Sequence, residues 1–293
     1  DTVVVPSGVQ LAPGGGLTLT GALAVDGGTV KLDGNYPTGT ANVALGNQAL
    51  EAVEAGGIQN TAVGNQALEN VTTGDNNIGV GHRTLCTLTT ASCNVAVGKD
   101  ALRTNTTGAA NVAIGQEALV LNTTGSTNVA IGKESMDANT TGSNNTAVGK
   151  GSLGVNTTAN DNTGIGFNAL SANTTGTGNV AVGIDALKVH TTANNNTAVG
   201  ADSLRCNTTG TQNTAIGACS ACSLTTASSN TVLGHNAFSK STTGGETVAI
   251  GDNTMACNTT GCRNVAIGNG TMFKNTTGEC NTAVGRTALA CNT

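Results

Sequence analysis

The strongest constraint on this chain is a 17-residue repeat that runs through most of its 293 residues. A glycine closes each Asn-x-x-x-Gly motif, and fourteen of these glycines, from Gly64 to Gly285, follow one another at intervals of 17 residues without insertion or deletion. Gly46 lies 18 residues before the first of them. A repeat of one fixed length predicts a solenoid in which each coil stacks on the last, because one extra residue would displace every column of side chains.

The coils carry the same residue types at the same positions, which we number relative to this glycine. Position −4 is Asn in fourteen of fifteen coils, −3 is Val, Ile or Thr, −2 is nearly always Ala, and −1 is Val, Ile or Leu. Position +4 is Leu, Met or Phe except at Ala221, and +8 and +9 are both Thr in every complete 17-residue coil. We expect the repeated polar residues and glycines to form ladders along the solenoid. Representative ladder residues are Asn111, Asn128, Asn145, Gly115, Gly132, Gly149, Thr123, Thr124, Thr140 and Thr141.

The coil sequence predicts an all-β fold, a parallel β-solenoid. Val-Ala-Ile before the glycine favours a strand, whereas 42 Gly residues and abundant Asn and Thr oppose a helix. Because the strand is apolar on both faces, we expect both faces to be covered. We predict that Val129 and Ile131 point inward and Ala130 outward. The small outward residues would then let neighbouring chains approach closely in a symmetric assembly.

Two regions follow from where the repeat begins. Residues 1–41 lack the repeat and contain short β-prone segments separated by glycine-rich turns, which indicates a small N-terminal β connector or cap. Residues 42–293 form the repeat array, with about 15 coils, the last one truncated. Because the chain begins without Met and ends in the middle of a coil, we expect it to be a piece of a longer polypeptide.

Composition excludes several classes of function. The formal charge is −5 and there is no run of Lys or Arg, which argues against a nucleic-acid groove. No apolar stretch is long enough for a transmembrane helix. The three histidines lie in different, non-adjacent coils, and Cys219-Ser220-Ala221-Cys222 has no second ligand pair, so we expect no metal site and no cofactor. Ile-Gly-x-x-Ala-Leu faintly resembles the repeat of hexapeptide acyltransferases, but the 17-residue period is not a multiple of six. We therefore expect no enzymatic activity.

Nine cysteines are unusual in a chain of this kind. An odd number leaves at least one cysteine unpaired within the chain, or paired between chains. The pairs favoured by the repeat are Cys206–Cys222, Cys262–Cys280, Cys86–Cys93 and Cys257–Cys262. Disulfides would indicate an oxidising, extracellular setting. The alternative is that these residues are free thiols that act as small hydrophobic side chains.

The Asn-Thr-Thr segments permit two further hypotheses. They match the N-glycosylation motif at Asn105, Asn122, Asn139, Asn156 and Asn173, although a turn with stacked side chains explains their period better. The double Thr column also raises the possibility of an ice-binding surface. Since adjacent residues of an extended segment point to opposite sides, at most one of the two Thr columns faces outward.

The motif Asn-Val-Ala-Ile-Gly-x-x-Ala-Leu, at 111–119 and 179–187, resembles the head repeats of YadA-like trimeric autotransporter adhesins. With Asn-Thr-Thr-Gly between motifs, the repeat is similar to those of phage tail fibres and large surface proteins. The resemblance covers about 250 residues, but the 17-residue period is longer than that of the adhesin heads. It implies a left-handed β-roll, a homotrimeric fibre, and a place on a virion tail fibre or a cell-surface filament that supports host attachment.

Two roles stay open, a passive fibre shaft and an adhesive head whose sides bind a receptor or matrix. Binding hot spots favour Trp, Tyr and Arg, whereas the array has no Trp, no Tyr and five Arg. This composition favours the shaft, with a receptor or neighbouring fibre protein that the sequence does not identify.

Overall fold

The computed structural model describes residues 41–291 apart from Ala55. Within this part, the chain is an all-β parallel β-solenoid of 17-residue turns, and no helix forms. This confirms the predicted fold class. The predicted N-terminal connector, except for residue 41, lies outside the described residues, as do residues 292 and 293.

Each coil contributes one strand of three residues. The strands are β1 Val43–Leu45, β2 Thr61–Val63, β3 Ile78–Val80, β4 Val95–Val97, β5 Val112–Ile114, β6 Val129–Ile131, β7 Thr146–Val148, β8 Thr163–Ile165, β9 Val180–Val182, β10 Thr197–Val199, β11 Thr214–Ile216, β12 Thr231–Leu233, β13 Val248–Ile250, β14 Val265–Ile267 and β15 Thr282–Val284.

The fifteen strands form one parallel sheet in sequence order, β1 to β15. Equivalent residues of successive coils pair directly, as Ala113 pairs with Ala130. The first interval is one residue longer, and the extra residue lies between β1 and β2, because Ala44 still pairs directly with Ala62. The constant period therefore keeps every column aligned along the sheet.

The direction of the strand side chains is the reverse of our prediction. Ala130 is fully buried, whereas Val129 is half-buried and Ile131 is 37% exposed. The narrow interior explains the difference. At Gly79, in the same column as Ala130, an added Cβ would lie 3.3 Å from Cγ of Leu68. The inward position of the strand thus faces the leucine column across the coil, which leaves room for a small residue, and the larger aliphatic residues point outward.

The repeated glycine is required by close stacking of backbones. Gly132 has φ +133°, a conformation that residues with a side chain rarely adopt. A Cβ at this position would lie 2.7 Å from the carbonyl carbon and oxygen of Gly149 in the next coil. Any side chain here would therefore push successive coils apart.

Two columns of buried asparagine hold the coils together. In the first, at position −4, Asn128 Nδ2 donates to Gly142 O at 2.8 Å, and the backbone N–H of Asn145 donates to Asn128 Oδ1 at 3.0 Å. In the second, at position +7, Asn122 Nδ2 donates to Asn105 Oδ1 at 2.8 Å. These side chains satisfy backbone groups that the short strands leave unpaired inside the solenoid.

Candidate functional site

The most extensive candidate for function is the outer surface of the sheet, formed by positions −3 and −1 of strands β1–β15. We call it the aliphatic face. Position −1 is Val, Ile or Leu in all fifteen strands, and position −3 is Val, Ile or Thr, so no charged residue stands in either column. Among its most exposed members are Leu45, Ile114, Ile216 and Leu233. The face follows from the narrow interior, because the strand directs two of its three side chains outward.

The aliphatic face is larger than the apolar patches found on the surface of typical monomeric proteins. Fifteen coils at ~4.8 Å make it roughly 70 Å long, and a width of about 12 Å gives roughly 800 Å² per chain. The largest apolar patch of a typical monomer is about 300–600 Å² and is often functional. A stable protein interface takes about 800 Å² from each partner. The aliphatic face therefore has the size and composition of an interface.

Position +1, two residues beyond the outer aliphatic column, varies from coil to coil and is large and apolar at one height only. It carries Lys133 and Lys150, then Phe167 and Ile184, then Ala201 in five successive coils. Phe167 is 46% exposed and Ile184 is 59% exposed. Only Gly166 separates Phe167 from the aliphatic face. Two large, exposed apolar side chains in neighbouring coils thus lie two residues along the chain from the outer aliphatic column.

The two threonine columns have different environments. Thr123 is half-buried, and its Oγ1 donates to Thr140 O at 2.9 Å in the next coil. Thr124 and Thr141, at position +9, are exposed. Position +9 is exposed Thr in thirteen consecutive coils, from Thr73 to Thr277. This column is a second regular surface, made of hydroxyl and methyl groups.

The asparagines of the Asn-Thr-Thr segments are closed to glycosylation in the fold. All eight of these asparagines are fully buried: Asn105, Asn122, Asn139, Asn156, Asn173, Asn207, Asn258 and Asn275. Asn139 Nδ2, for example, donates to Asn122 Oδ1 at 2.7 Å. The period of these motifs therefore has a structural cause, the second asparagine ladder.

His190 takes the place of asparagine in that ladder. Its Nε2 lies 2.8 Å from Ala193 O, the contact that asparagine Nδ2 makes in other coils. His190 Nδ1 and Asn173 Oδ1, on successive rungs, are both buried without a hydrogen-bond partner. Burial lowers the pKa of His190 despite its hydrogen bond to Ala193 O. The substitution interrupts the ladder at this coil.

Charged side chains connect positions +2 and +5 of one coil. Asp185 Oδ2 lies 3.2 Å from Lys188 Nζ, and Asp202 Oδ1 lies 3.5 Å from Arg205 Nη1. Asp100, at position +2, is almost fully buried and pairs with Arg83 of the preceding coil at 2.8 Å. The two pairs within one coil, Asp185–Lys188 and Asp202–Arg205, show that the turn between +2 and +5 brings its two ends together.

The disulfide lies at the same two positions. Cys219 is bonded to Cys222, with Cα atoms 4.8 Å apart. Our predicted partner for Cys222 was therefore wrong. The structure holds the other seven cysteines as free thiols: Cys86, Cys93, Cys206, Cys257, Cys262, Cys280 and Cys291. The predicted pairs fail because the repeat aligned residues between coils or across the Thr-Thr turn, whereas the turn from +2 to +5 makes the bonded contact.

No three His, Cys, Asp or Glu side chains within residues 41–54 and 56–291 come together in a way that could hold a metal ion. In the same part of the chain, a search for a helix long and apolar enough to cross a membrane finds none.

Comparison with known proteins identifies no relative: no family model, no curated protein and no solved structure matches this chain.

Proposed function

We propose that this chain is a structural fibre protein whose copies assemble through the aliphatic face, with three chains around one axis parallel to the solenoid. The observation that carries the proposal is the Val, Ile or Leu at position −1 of every strand, directed outward from β1 to β15. Burying roughly 800 Å² of such surface per chain at about 25 cal/mol per Å² is favourable by about 20 kcal/mol per chain before the cost of association. A face of this kind is stable in water when copies cover it.

The number of chains rests on the resemblance of the repeat to trimeric adhesin heads and tail-fibre repeats. The assembly is the shaft of an extracellular filament or a virion tail fibre that supports attachment to a host or surface. The scarcity of Trp, Tyr and Arg supports a shaft over an adhesive head, because receptor-binding hot spots favour these residues. The ladders of buried asparagine suit a rod that must resist unfolding along its length.

The test places charge on the aliphatic face. We expect sedimentation of the wild-type chain to show a trimer at micromolar concentration. The double variant Ile131→Asp and Ile216→Asp should sediment as a monomer, because each buried carboxylate would lack a partner. Both positions are outward and partly exposed, so the solenoid itself is retained.

The matched control is Leu121→Asp with Val189→Asp, two equally exposed aliphatic residues at position +6, away from the sheet. We expect this control to remain a trimer, with the same circular dichroism spectrum as both other proteins. A monomeric wild-type chain, or equal dissociation of the control, would contradict the proposal.

A second candidate function, ice binding, is favoured by the exposed Thr column at position +9. Hydroxyl and methyl groups that recur once per coil over thirteen coils form a regular row. Thermal hysteresis measured on the purified chain tests this. We would abandon the ice-binding hypothesis if freezing and melting points coincide at millimolar concentration, or if Thr124→Lys with Thr141→Lys leaves a measured hysteresis unchanged.

A further inference from the structure

The repetition of the aliphatic face allows two copies of it to pack in more than one axial alignment. Each coil presents almost the same two side chains, so two copies that slide past one another by one coil lose only one of fifteen strand contacts. A one-residue slip in an ordinary sheet reverses every side chain and is strongly disfavoured, whereas a 17-residue slip here retains nearly all apolar contacts. The face alone does not set the axial alignment of the chains.

We propose that Phe167 and Ile184 set this alignment by packing against the same two residues of a second copy of the chain. This inference rests on the oligomer proposed above. The two side chains are half-exposed or more, are large and apolar, and stand in adjacent coils beside the aliphatic face. The assembly surface therefore continues onto them.

The order of residues at position +1 penalises sliding in both directions. In the aligned assembly, a rotation axis along the rod brings every Phe167 to one height and every Ile184 to the next. Sliding by one coil in either direction places Lys150 of one chain level with Phe167 of another, which removes water from an ammonium group. Sliding by two coils places Ala201 of one chain level with Phe167 of another and leaves part of the ring uncovered.

The remaining +1 residues do not provide the same information. After Ala201 comes another alanine, Ala218, and the residues before Phe167 are polar. Lys133 is engaged within its own chain, where its Nζ lies 3.2 Å from Glu134 Oε1. Phe167 and Ile184 are thus the large apolar residues of position +1, and they mark one height beside the repeating aliphatic face.

Photo-cross-linking between chains measures their axial alignment directly. Ala201, an exposed residue of the same column, is replaced by the photo-reactive amino acid p-benzoylphenylalanine, and cross-linked peptides are mapped by mass spectrometry on mixed ¹⁴N and ¹⁵N chains. Because the coils differ in sequence, each cross-linked peptide identifies a coil of the partner. We expect partner positions within one coil of residue 201 in the otherwise wild-type chain.

The test variant is Phe167→Ser with Ile184→Ser, and the matched control is Leu121→Ser with Val155→Ser, which removes equally exposed aliphatic residues at position +6. We expect the test variant to remain oligomeric while its cross-links spread beyond one coil, to positions two and three coils from residue 201. The control should keep the narrow pattern.

Three results would overturn this inference: an oligomer whose position 201 forms no cross-links between chains, a wild-type pattern already spread over several coils, or a test variant with an unchanged narrow pattern. A wild-type chain that sediments as a monomer instead refutes the proposed assembly. The sedimentation and cross-linking results therefore separate the two failures.

Discussion

The asparagine ladder at position −4 leads to a quantitative prediction for Asn128→Ala. In the structure, Asn128 Oδ1 accepts the backbone N–H of Asn145 at 3.0 Å, and Asn128 Nδ2 donates to Gly142 O at 2.8 Å. Gly142 O retains a second donor, Asn139 Nδ2, at 3.0 Å. Asn145 Nδ2 also donates to Asn128 Oδ1, at 3.2 Å, but it retains Ala159 O at 2.8 Å. The group left without an acceptor is thus the buried N–H of Asn145. An unsatisfied buried donor costs about 1–3 kcal/mol.

Adding the small cavity left by the amide, we expect Asn128→Ala to destabilise the surrounding coils by about 2–4 kcal/mol. Hydrogen exchange measures this locally, which suits a repeat protein whose coils interact only with neighbours. The corresponding loss of protection for amides near residue 145 is roughly 30- to 1000-fold.

The control is Asn269→Ala, the same chemical change at an exposed residue with one hydrogen bond, from Nδ2 to Asp252 Oδ2 at 3.1 Å. It should alter protection less than about threefold. If the coils around residue 145 exchange at the wild-type rate in Asn128→Ala, or if the control loses protection equally, the ladder does not stabilise the solenoid as argued.

Three further predictions concern the glycine column, the ladder histidine and the thiols. Gly132→Ala should destabilise the solenoid by about 2–5 kcal/mol, because its φ is strained for alanine and the added Cβ clashes with the next coil. The control is Gly154→Ala, which should change the melting temperature little, because the nearest atom to an added Cβ there is 3.3 Å away. His190→Asn should raise the melting temperature by restoring a ladder donor. Burial lowers the pKa of His190, so the folded chain binds a proton at this imidazole less readily than the unfolded chain does. The stability of the wild-type chain should therefore fall as the pH drops below about 6.5. A melting temperature independent of pH would contradict this. Burial and the nearby Glu69 carboxylate raise the pKa of Cys86 to about 11; iodoacetamide at pH 8.5 should therefore label the exposed Cys93 first, and faster labelling of Cys86 would refute the assignment.

The sequence predicted the parts of the fold that depend on period. A constant 17-residue interval requires direct stacking, and the structure pairs Ala113 with Ala130 as that interval demands. The second asparagine ladder was harder to foresee, because Asn122 stands in a segment that reads as a polar turn. Its burial depends on the path of the chain after the leucine at position +4, which no local pattern specifies. The sulfur contact from Cys219 to Cys222 depends on the same turn.

The side-chain direction of the strand could have been read from two exceptions in one coil. Position +4 is a small residue only at Ala221, and position −2 is larger than alanine only at Val232, eleven residues later. The same separation relates Gly79 to Leu68, where the added Cβ would contact the leucine side chain. The side chain at position +4 is thus smaller in the place where the side chain at position −2 is larger. This indicates that the two positions share one interior volume, since cores tolerate changes that conserve total volume. Position −2 therefore faces inward, and the aliphatic residues on either side of it are left for a partner to cover.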